Sequence, residues 1–158
     1  MANYIEVNGK VSKKYKVLAR ETALKVLELM KYPDGLEVAI DFVSESEIKK
    51  LNAEFREIDK VTDVLSFPSF QLQVGELLDL NDEMVSMFVQ ENGLVHFGDM
   101  ALCLKQTKRQ AKEFGVSVES EIKKLVVHSM LHLMGYDHIE DSDYEIMKNQ
   151  EEKLEELI

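Results

Sequence analysis

Three of the four histidines in the sequence fall within eleven residues. On an α-helix, positions four apart differ by about 40° around the axis and about 6 Å along it, so His128 and His132 project from one face. Gly135 is typical of a left-handed helix end, and the turn it allows would bring His138 back toward them. Three imidazoles on one ion leave a coordination position open, as a catalytic metal requires. We therefore predict a metal site formed by His128, His132 and His138.

The helix that carries the first two histidines is apolar around most of its circumference, which is typical of a buried central helix. Buried histidines need partners, and hydrogen bonds alone would satisfy an isolated one more readily than three in this spacing. Imidazole ligands with an open position suit zinc best, although nickel, copper and iron use the same donors. We expect one Zn²⁺ per chain. Asp137 fits two roles equally, an acceptor that orients a ligand imidazole and a turn residue.

The elements that must position these residues follow from hydrophobic periodicity, caps and breakers. In chain order we predict a helix at about 12–31, a strand at 36–43, a helix at 44–56 with a capping box, strands at 62–67 and 94–104, and helices at 105–114, 117–135 and 142–158, the last with a second capping box. Residues 69–93 are the least regular, with a weak strand pattern at 70–74 and a short helix pattern at 82–90. Clustered helices with separate strands favour an α+β fold over a regular βαβ series.

The composition is that of a globular protein. At 158 residues, 45% of them hydrophobic, the chain is expected to form one domain over residues 1–158. No apolar run approaches the ~20 residues of a membrane-spanning helix, and the first residues lack a signal-peptide pattern, so we expect a cytoplasmic protein without a membrane partner. The single cysteine, Cys103, excludes an internal disulfide and fits a buried small hydrophobe. Because the net charge is −11, any polyanion would have to bind at a local basic groove and not at the surface as a whole.

The His-x3-His-x5-His spacing, with glycine three residues after the second histidine, matches the ligand frame of the metzincin proteases. Those enzymes place glutamate directly after the first histidine as a general base. This chain has Ser129 there, and a serine hydroxyl cannot hold a proton-accepting charge near neutral pH. The sequence therefore argues against peptidase chemistry of that type.

With that departure, residues 128–138 resemble the signature of the bacterial YbeY family, which are ribosomal RNA maturation endoribonucleases. Residues 51–56 with 62–68 resemble the family's second block, and residues 97–100 resemble its Leu-Gly-Asp-Ile block. Order, spacing and length agree over essentially the whole chain. The departures are Ser129 where the family often has glycine, Phe97 and Met100 in place of aliphatic residues, and an unassignable segment from Ser69 to Gly93.

The resemblance implies a zincin-like α+β single domain, in which a small mixed β-sheet packs with helices around a buried central helix that carries the metal ligands. It implies one zinc ion on His128, His132 and His138. The implied function is a zinc-dependent, single-strand-specific endoribonuclease in 16S (small-subunit) rRNA 3′-end maturation and ribosome quality control. The expected partners are an rRNA precursor and the small ribosomal subunit, with no DNA.

The resemblance also places Arg56 at the family's functionally important arginine, so Arg56 and His128 are the predicted catalytic residues. A guanidinium near the metal could pair with a phosphodiester and stabilise the charge that develops as the bond breaks. From the residues alone, a surface arginine at a helix end is the simpler interpretation of Arg56. The nucleophile stays open between a water acidified by the ion and the ribose 2′-hydroxyl.

Several other features are secondary candidates. A stripe of basic residues at helical spacing is a plausible RNA track, although such a stripe is usually a solvated face; it comprises Lys105, Lys108, Arg109 and Lys112. His96 and Asp99 would either face the metal cleft or occupy an edge-strand or turn position. Two other functions stay open, a metallohydrolase acting on a small molecule or peptide and a ribosome-associated factor with a structural zinc. A structural site would need a fourth ligand, for which Cys103 and His96 are the candidates.

Overall fold

A computed structural model describes residues 2–158. Within these residues the chain forms four strands and six helices. In order they are β1 (Tyr4–Asn8), α1 (Lys13–Leu29), β2 (Leu36–Phe42), α2 (Glu45–Arg56), β3 (Val64–Pro68), α3 (Glu83–Ser86), β4 (Val95–Leu102), α4 (Leu104–Phe114), α5 (Val118–Leu133) and α6 (Asp141–Leu157). None of the helices in this part of the chain is both long and apolar enough to cross a membrane.

The four strands form one mixed sheet in the order β1-β2-β4-β3. The pairs β1/β2 and β2/β4 are parallel, whereas β3 runs antiparallel to β4, with Val64 opposite Leu102 and Pro68 opposite Gly98. Proline lacks the N–H that a further ladder bond would need, so Pro68 suits the end of an edge strand. The strands predicted on either side of residues 69–93 are thus both present, and they pair with each other.

α5 is the central helix of the fold and packs against α1, α4, α6 and β3. Apolar side chains from one face of the sheet, among them Val38, Ile40 and Phe97, join the same core as Val126 and Met130 of α5. Each such side chain that is fully buried stabilises the fold by about 1.5–3 kcal/mol relative to leaving it exposed. The predicted α+β arrangement around a buried helix is confirmed, and the helix offers a rigid base for side chains that point out of the core.

Two glycines permit close approaches around the end of α5. A Cβ on Gly98 of β4 would lie 2.7 Å from a methyl carbon of Leu133, so glycine lets the end of α5 approach the sheet. Gly135 has a φ of 97°, and a Cβ there would collide with the carbonyl of Leu72. Both the left-handed backbone and the contact therefore favour glycine at 135. The predicted helix stop at this glycine is confirmed.

One of the two predicted capping boxes is present. Ser44 Oγ accepts the N–H of Glu47, and Glu47 Oε1 accepts the N–H of Ser44, as predicted for the start of α2. The box predicted at residues 142–145 is wrong, because α6 begins at Asp141 after Glu140, which makes no side-chain cap bond. The two sites share the spacing, so the local pattern alone does not distinguish them.

The irregular segment and the N-terminal strand depart most from the sequence predictions. The strand predicted at 70–74 is wrong: these residues lie in a loop, tied near its end by a hydrogen bond from Tyr32 Oη to the carbonyl of Glu76. The helix predicted at 82–90 is real but only four residues long, and Asp82 caps it. β1 was not predicted; its two buried side chains, Ile5 and Val7, are too short a pattern to stand out.

Candidate metal centre

The structure brings together the three histidines that the sequence singles out. His128 and His132 lie one turn apart on α5, with their Nε2 atoms 3.0 Å from each other. His138 lies in the turn between α5 and α6, and its ring centroid is 5.1 Å from that of His132. One nitrogen of each ring lies within 4.8 Å of the other two, close enough for all three to hold one metal ion.

Hydrogen bonds on the far nitrogens fix two of these rings. Glu151 Oε1 of α6 lies 2.7 Å from Nδ1 of His128, and the carbonyl oxygen of Tyr136 lies 2.9 Å from Nδ1 of His132. A carbonyl oxygen only accepts, so Nδ1 of His132 carries the proton and Nε2 keeps its lone pair. A carboxylate at Nδ1 has the same effect on the tautomer of His128. The two lone pairs therefore converge on one point.

The protonation state of His132 suits a metal ligand. Burial, followed by the neighbouring His128, lowers the pKa of His132 from 6.5 to about 4, although the hydrogen bond to Tyr136 opposes this. The imidazole is therefore neutral at physiological pH, which is the form that binds metals. Three imidazole nitrogen donors fit zinc and other transition metals that favour imidazole.

The histidines open onto a cleft of about 1130 Å³ that β3, α2, α4, α5, α6 and the adjoining loops line. Arg56, the last residue of α2, is exposed and lines the same cleft. Its guanidinium forms no hydrogen bond or ion pair with the residues that the structure describes. The predicted catalytic arginine thus shares the cleft with the histidine cluster and is free to meet an anion.

The carboxylates that line this cleft are already engaged within the protein, whereas its cations are not. Gln110 Nε2 donates to both Asp63 and Glu121 at 3.1 Å, and Glu151 holds His128. The remaining carboxylate, that of Asp137, accepts the backbone N–H of His138. The cations Arg56, Lys124 and Lys148 form no ion pair with a described carboxylate, so the cleft offers unpaired positive charge in a chain whose net charge is −11.

The contact of Asp137 with the backbone also decides between its two predicted roles. Its Oδ1 lies 2.6 Å from the N of the next residue, a local turn bond. The acceptors that orient the imidazoles are instead Glu151 and the carbonyl of Tyr136. Glu151 was not predicted from the sequence. Its helix is rich in glutamate, and no local pattern identifies the one glutamate that bonds a histidine 23 residues away.

Ser129, which stands where the metzincins have their general base, does not line the cleft. Its side chain is fully buried, and its Oγ lies 2.7 Å from Oγ of Ser66 on β3. The hydroxyl therefore joins the central helix to the sheet edge. Both its chemistry and its position argue against a base at this residue.

The secondary candidates lie outside the cleft. His96 on β4 bonds Asp99 at 2.9 Å and faces Glu37, and Cys103 is fully buried, so neither reaches the histidine cluster. In the basic stripe, Lys105 and Arg109 pair with Glu45 of α2. No fourth protein ligand therefore joins the three histidines among the residues that the structure describes.

Comparisons with known proteins agree with this geometry. Residues 3–158 match a family model described as Endoribonuclease YbeY. Proteins named Endoribonuclease YbeY are similar to this chain: that of Finegoldia magna is 48% identical over 118 residues, 75% of this chain and 66% of that protein. That of Clostridium botulinum strain Kyoto is 39% identical over 155 residues, 96% of this chain and 90% of that protein.

A solved structure shows the same fold. The solution structure of TM1509 from Thermotoga maritima is 28% identical, with a TM-score of 0.59, over 99% of this chain and 87% of that one. Together with the histidine cluster on the central helix, this similarity confirms the predicted zincin-like α+β fold. The match of the family model across residues 3–158, together with a relative that is 39% identical over 90% of its length, shows that the chain belongs to the YbeY family.

Proposed function

We propose that this protein is a zinc-dependent, single-strand-specific endoribonuclease. The observation that carries the proposal is the shared cleft, in which three convergent imidazoles and an unpaired arginine line one open space. The names of the relatives agree, since each is called an endoribonuclease. We propose further that residues 1–158 act as one domain in the cytoplasm, on rRNA precursors at the small ribosomal subunit, in 16S rRNA 3′-end maturation and ribosome quality control.

His128, His132 and His138 would hold one Zn²⁺ per chain through their cleft-facing nitrogens. When bound, zinc supplies a Lewis acid that polarises a phosphoryl oxygen and acidifies water. Glu151 fixes the ring of His128, and the carbonyl of Tyr136 fixes that of His132. Because these contacts hold both rings with their free nitrogens turned toward one another, the donors need little reorganisation before they bind.

Arg56 and His128 are the proposed catalytic residues. The Arg56 guanidinium would donate two parallel hydrogen bonds to the non-bridging oxygens of the scissile phosphodiester, and the negative charge on these oxygens grows as the bond breaks. No described carboxylate competes for this guanidinium. His128 would contribute by holding the metal ion at the reacting centre through Nε2, with Glu151 fixing the ring from the opposite nitrogen.

Single-strand specificity is supported by the surface of the cleft. Exposed aromatic rings, among them Phe55 and Tyr144, line it beside the unpaired cations. Unstacked bases pack on such rings, whereas a duplex keeps its bases stacked inside. The cleft is therefore suited to an unpaired strand.

The two alternative functions are less well supported. A structural zinc closes its fourth position with a protein ligand, and the two candidates for that ligand, His96 and Cys103, lie elsewhere. A metallohydrolase of small molecules or peptides would not need three unpaired cations along its cleft. A peptidase of the metzincin kind would also need a base where Ser129 is buried.

The test combines elemental analysis with cleavage assays. Purified protein should carry about one zinc ion per chain and should cut single-stranded RNA. A chelator should abolish cleavage and added zinc restore it, while duplex RNA and casein stay intact. Cleavage of casein but not RNA would instead favour the peptidase alternative, and bound zinc without any cleavage would favour the structural one. Trimming of a precursor 16S 3′ end tests the ribosomal role.

A further inference from the structure

Lys124 lies on the face of α5 that carries the two ligand histidines. The positions 124, 128 and 132 are each four residues apart, so Lys124 lies one turn, about 6 Å, from His128 along the helix axis. Its side chain is exposed and lines the same cleft. An RNA strand that runs along this helix past the histidines would therefore reach Lys124 about one nucleotide further on.

Phe114, at the end of α4, lies beside Lys124. The Lys124 Nζ is 5.4 Å from the centroid of the Phe114 ring, and the ring is nevertheless 57% exposed, so much of its surface stays open. Of the five aromatic side chains that are exposed in the described residues, three line the cleft, namely Phe55, Phe114 and Tyr144. Exposed rings are thus concentrated where the histidines are.

The surrounding charges leave Lys124 available. The neighbouring carboxylate on its own helix, Glu121, is engaged by Gln110. Burial and then nearby carboxylates raise the pKa of Glu155 on α6, and Lys124 opposes that shift without forming an ion pair. A cation that forms no ion pair with a described carboxylate, next to an open aromatic ring, matches the two parts of a nucleotide, a phosphate and a base.

We propose that Phe114 and Lys124 form a subsite for one nucleotide of an RNA strand, next to the nucleotide that lies at the histidine cluster. The base stacks on Phe114, and the adjoining phosphate pairs with Lys124. The subsite rests on the proposed function in one respect, that an RNA strand passes the histidine cluster. It adds a determinant of strand position that lies outside the metal ligands and Arg56.

Binding of an uncut strand tests the subsite. The probe is a fluorescein-labelled 2′-O-methyl RNA hexamer, whose integrity is checked after each titration, and fluorescence anisotropy gives its Kd. Phe114→Ala should raise the Kd about 10-fold. Lys124→Ala should lower the slope of log affinity against log salt by about 0.7, the loss of one phosphate contact with a single strand. The matched controls are Tyr4→Ala, an exposed ring outside the cleft, and Lys123→Ala, the neighbouring lysine.

A set of hexamers with one abasic position each separates stacking from a general structural effect. One abasic position should weaken binding to the wild type about 10-fold. The same position should cost Phe114→Ala nothing further, and Phe114→Trp should restore the penalty. A purely structural role of Phe114 would leave the abasic penalty unchanged.

Several results would overturn the subsite: wild-type affinity in both variants, losses no larger than those of the controls, or an abasic penalty that persists in Phe114→Ala. RNA cleavage by the wild type, measured in parallel, keeps the two proposals apart. Cleavage without these binding effects removes the subsite alone. Binding effects as expected without cleavage remove the proposed endonuclease and leave the subsite.

Discussion

Glu151 on α6 places a carboxylate oxygen 2.7 Å from Nδ1 of His128 on α5. Both side chains are partly buried, so water screens the bond less than it would at the surface. The bond directs the Nε2 of His128 toward the other two histidines. The last helix thus helps to build the candidate metal centre without contributing one of its proposed ligands.

Replacing Glu151 should weaken metal binding. Glu151→Ala leaves His128 free to rotate, and loss of such an orienting partner typically lowers metal affinity 10–100-fold. Competition between protein and a chromogenic chelator for zinc measures the effect. Glu152→Ala, an exposed neighbour outside the cleft, is the control and should bind zinc like the wild type. Equal zinc affinity for Glu151→Ala and the control would show that the contact does not orient a ligand.

Removing a histidine of the cluster should remove the metal. His132→Ala deletes one of three proposed donors and should leave well under one zinc ion per chain in purified protein, because two imidazoles seldom retain it. His96→Ala is the matched control, since this histidine bonds Asp99 outside the cleft. Elemental analysis of both variants decides the matter. A wild-type zinc content in a triple variant of His128, His132 and His138 would mean that the ligand set is wrong.

Ser129 should matter for stability and not for chemistry. Ser129→Ala leaves Ser66 without its partner and should lower the free energy of unfolding by about 1 kcal/mol. Zinc content and RNA cleavage should stay close to wild type, because the hydroxyl does not reach the cleft. Unfolding in urea, metal analysis and cleavage rates provide the three readouts. Lost cleavage with zinc retained would assign Ser129 a catalytic role instead.

Arg56 should act on the substrate phosphate and not on the fold. Arg56→Ala should lower the cleavage rate about 10²–10³-fold, by analogy with removal of one oxyanion donor. Arg56→Lys keeps a charge but loses the fork geometry, so its rate should be intermediate. Cleavage rates of the two variants and the wild type on one RNA substrate measure the effect.

Zinc content and melting temperature separate this role from a structural one. Both Arg56 variants should match the wild type in these respects, since the side chain is exposed and bonds no described residue. Lys50→Ala, an exposed cation on α2 outside the cleft, should change none of the readouts. An alanine variant of Arg56 that cleaves at the wild-type rate would refute the catalytic assignment, and one that loses zinc would make Arg56 structural.

Tyr32 should make the fold sensitive to alkali. Burial, with smaller effects from Tyr136 and Glu76, raises the pKa of Tyr32 from 10 to about 12, and its hydroxyl donates to the carbonyl of Glu76. Above pH 10 the unfolded chain releases this proton while the folded chain keeps it, so stability falls between pH 10 and 12. At pH 11 the ionisation of Tyr32 should lower the free energy of unfolding by about 1.4 kcal/mol.

The comparison with Tyr32→Phe isolates this titration from all others. The difference in free energy of unfolding between wild type and variant, from urea titrations, should shrink by that amount between pH 8 and pH 11. A difference that stays constant with pH would show that the phenol ionises equally in both states.

Local patterns in the sequence were sufficient for most of the ordered elements and for the histidine cluster. His128 and His132 share a face because any α-helix places positions four apart on one side, and Gly135 ends the helix because few other residues adopt a positive φ. Each of these features depends on residues within one or two helical turns, so the sequence alone determines it.

The tertiary structure decided which distant side chains meet. Glu151 reaches His128 across 23 residues, and Phe114 lies beside Lys124, because α4 and α6 pack on α5. The exclusion of His96 from the cleft depends on the side of the sheet that its strand presents. β1 and the loop at 70–74 escaped prediction for the same reason. Whether a short segment pairs or stays a loop depends on the partner available to it, and packing energies between remote residues leave no periodic trace in the chain.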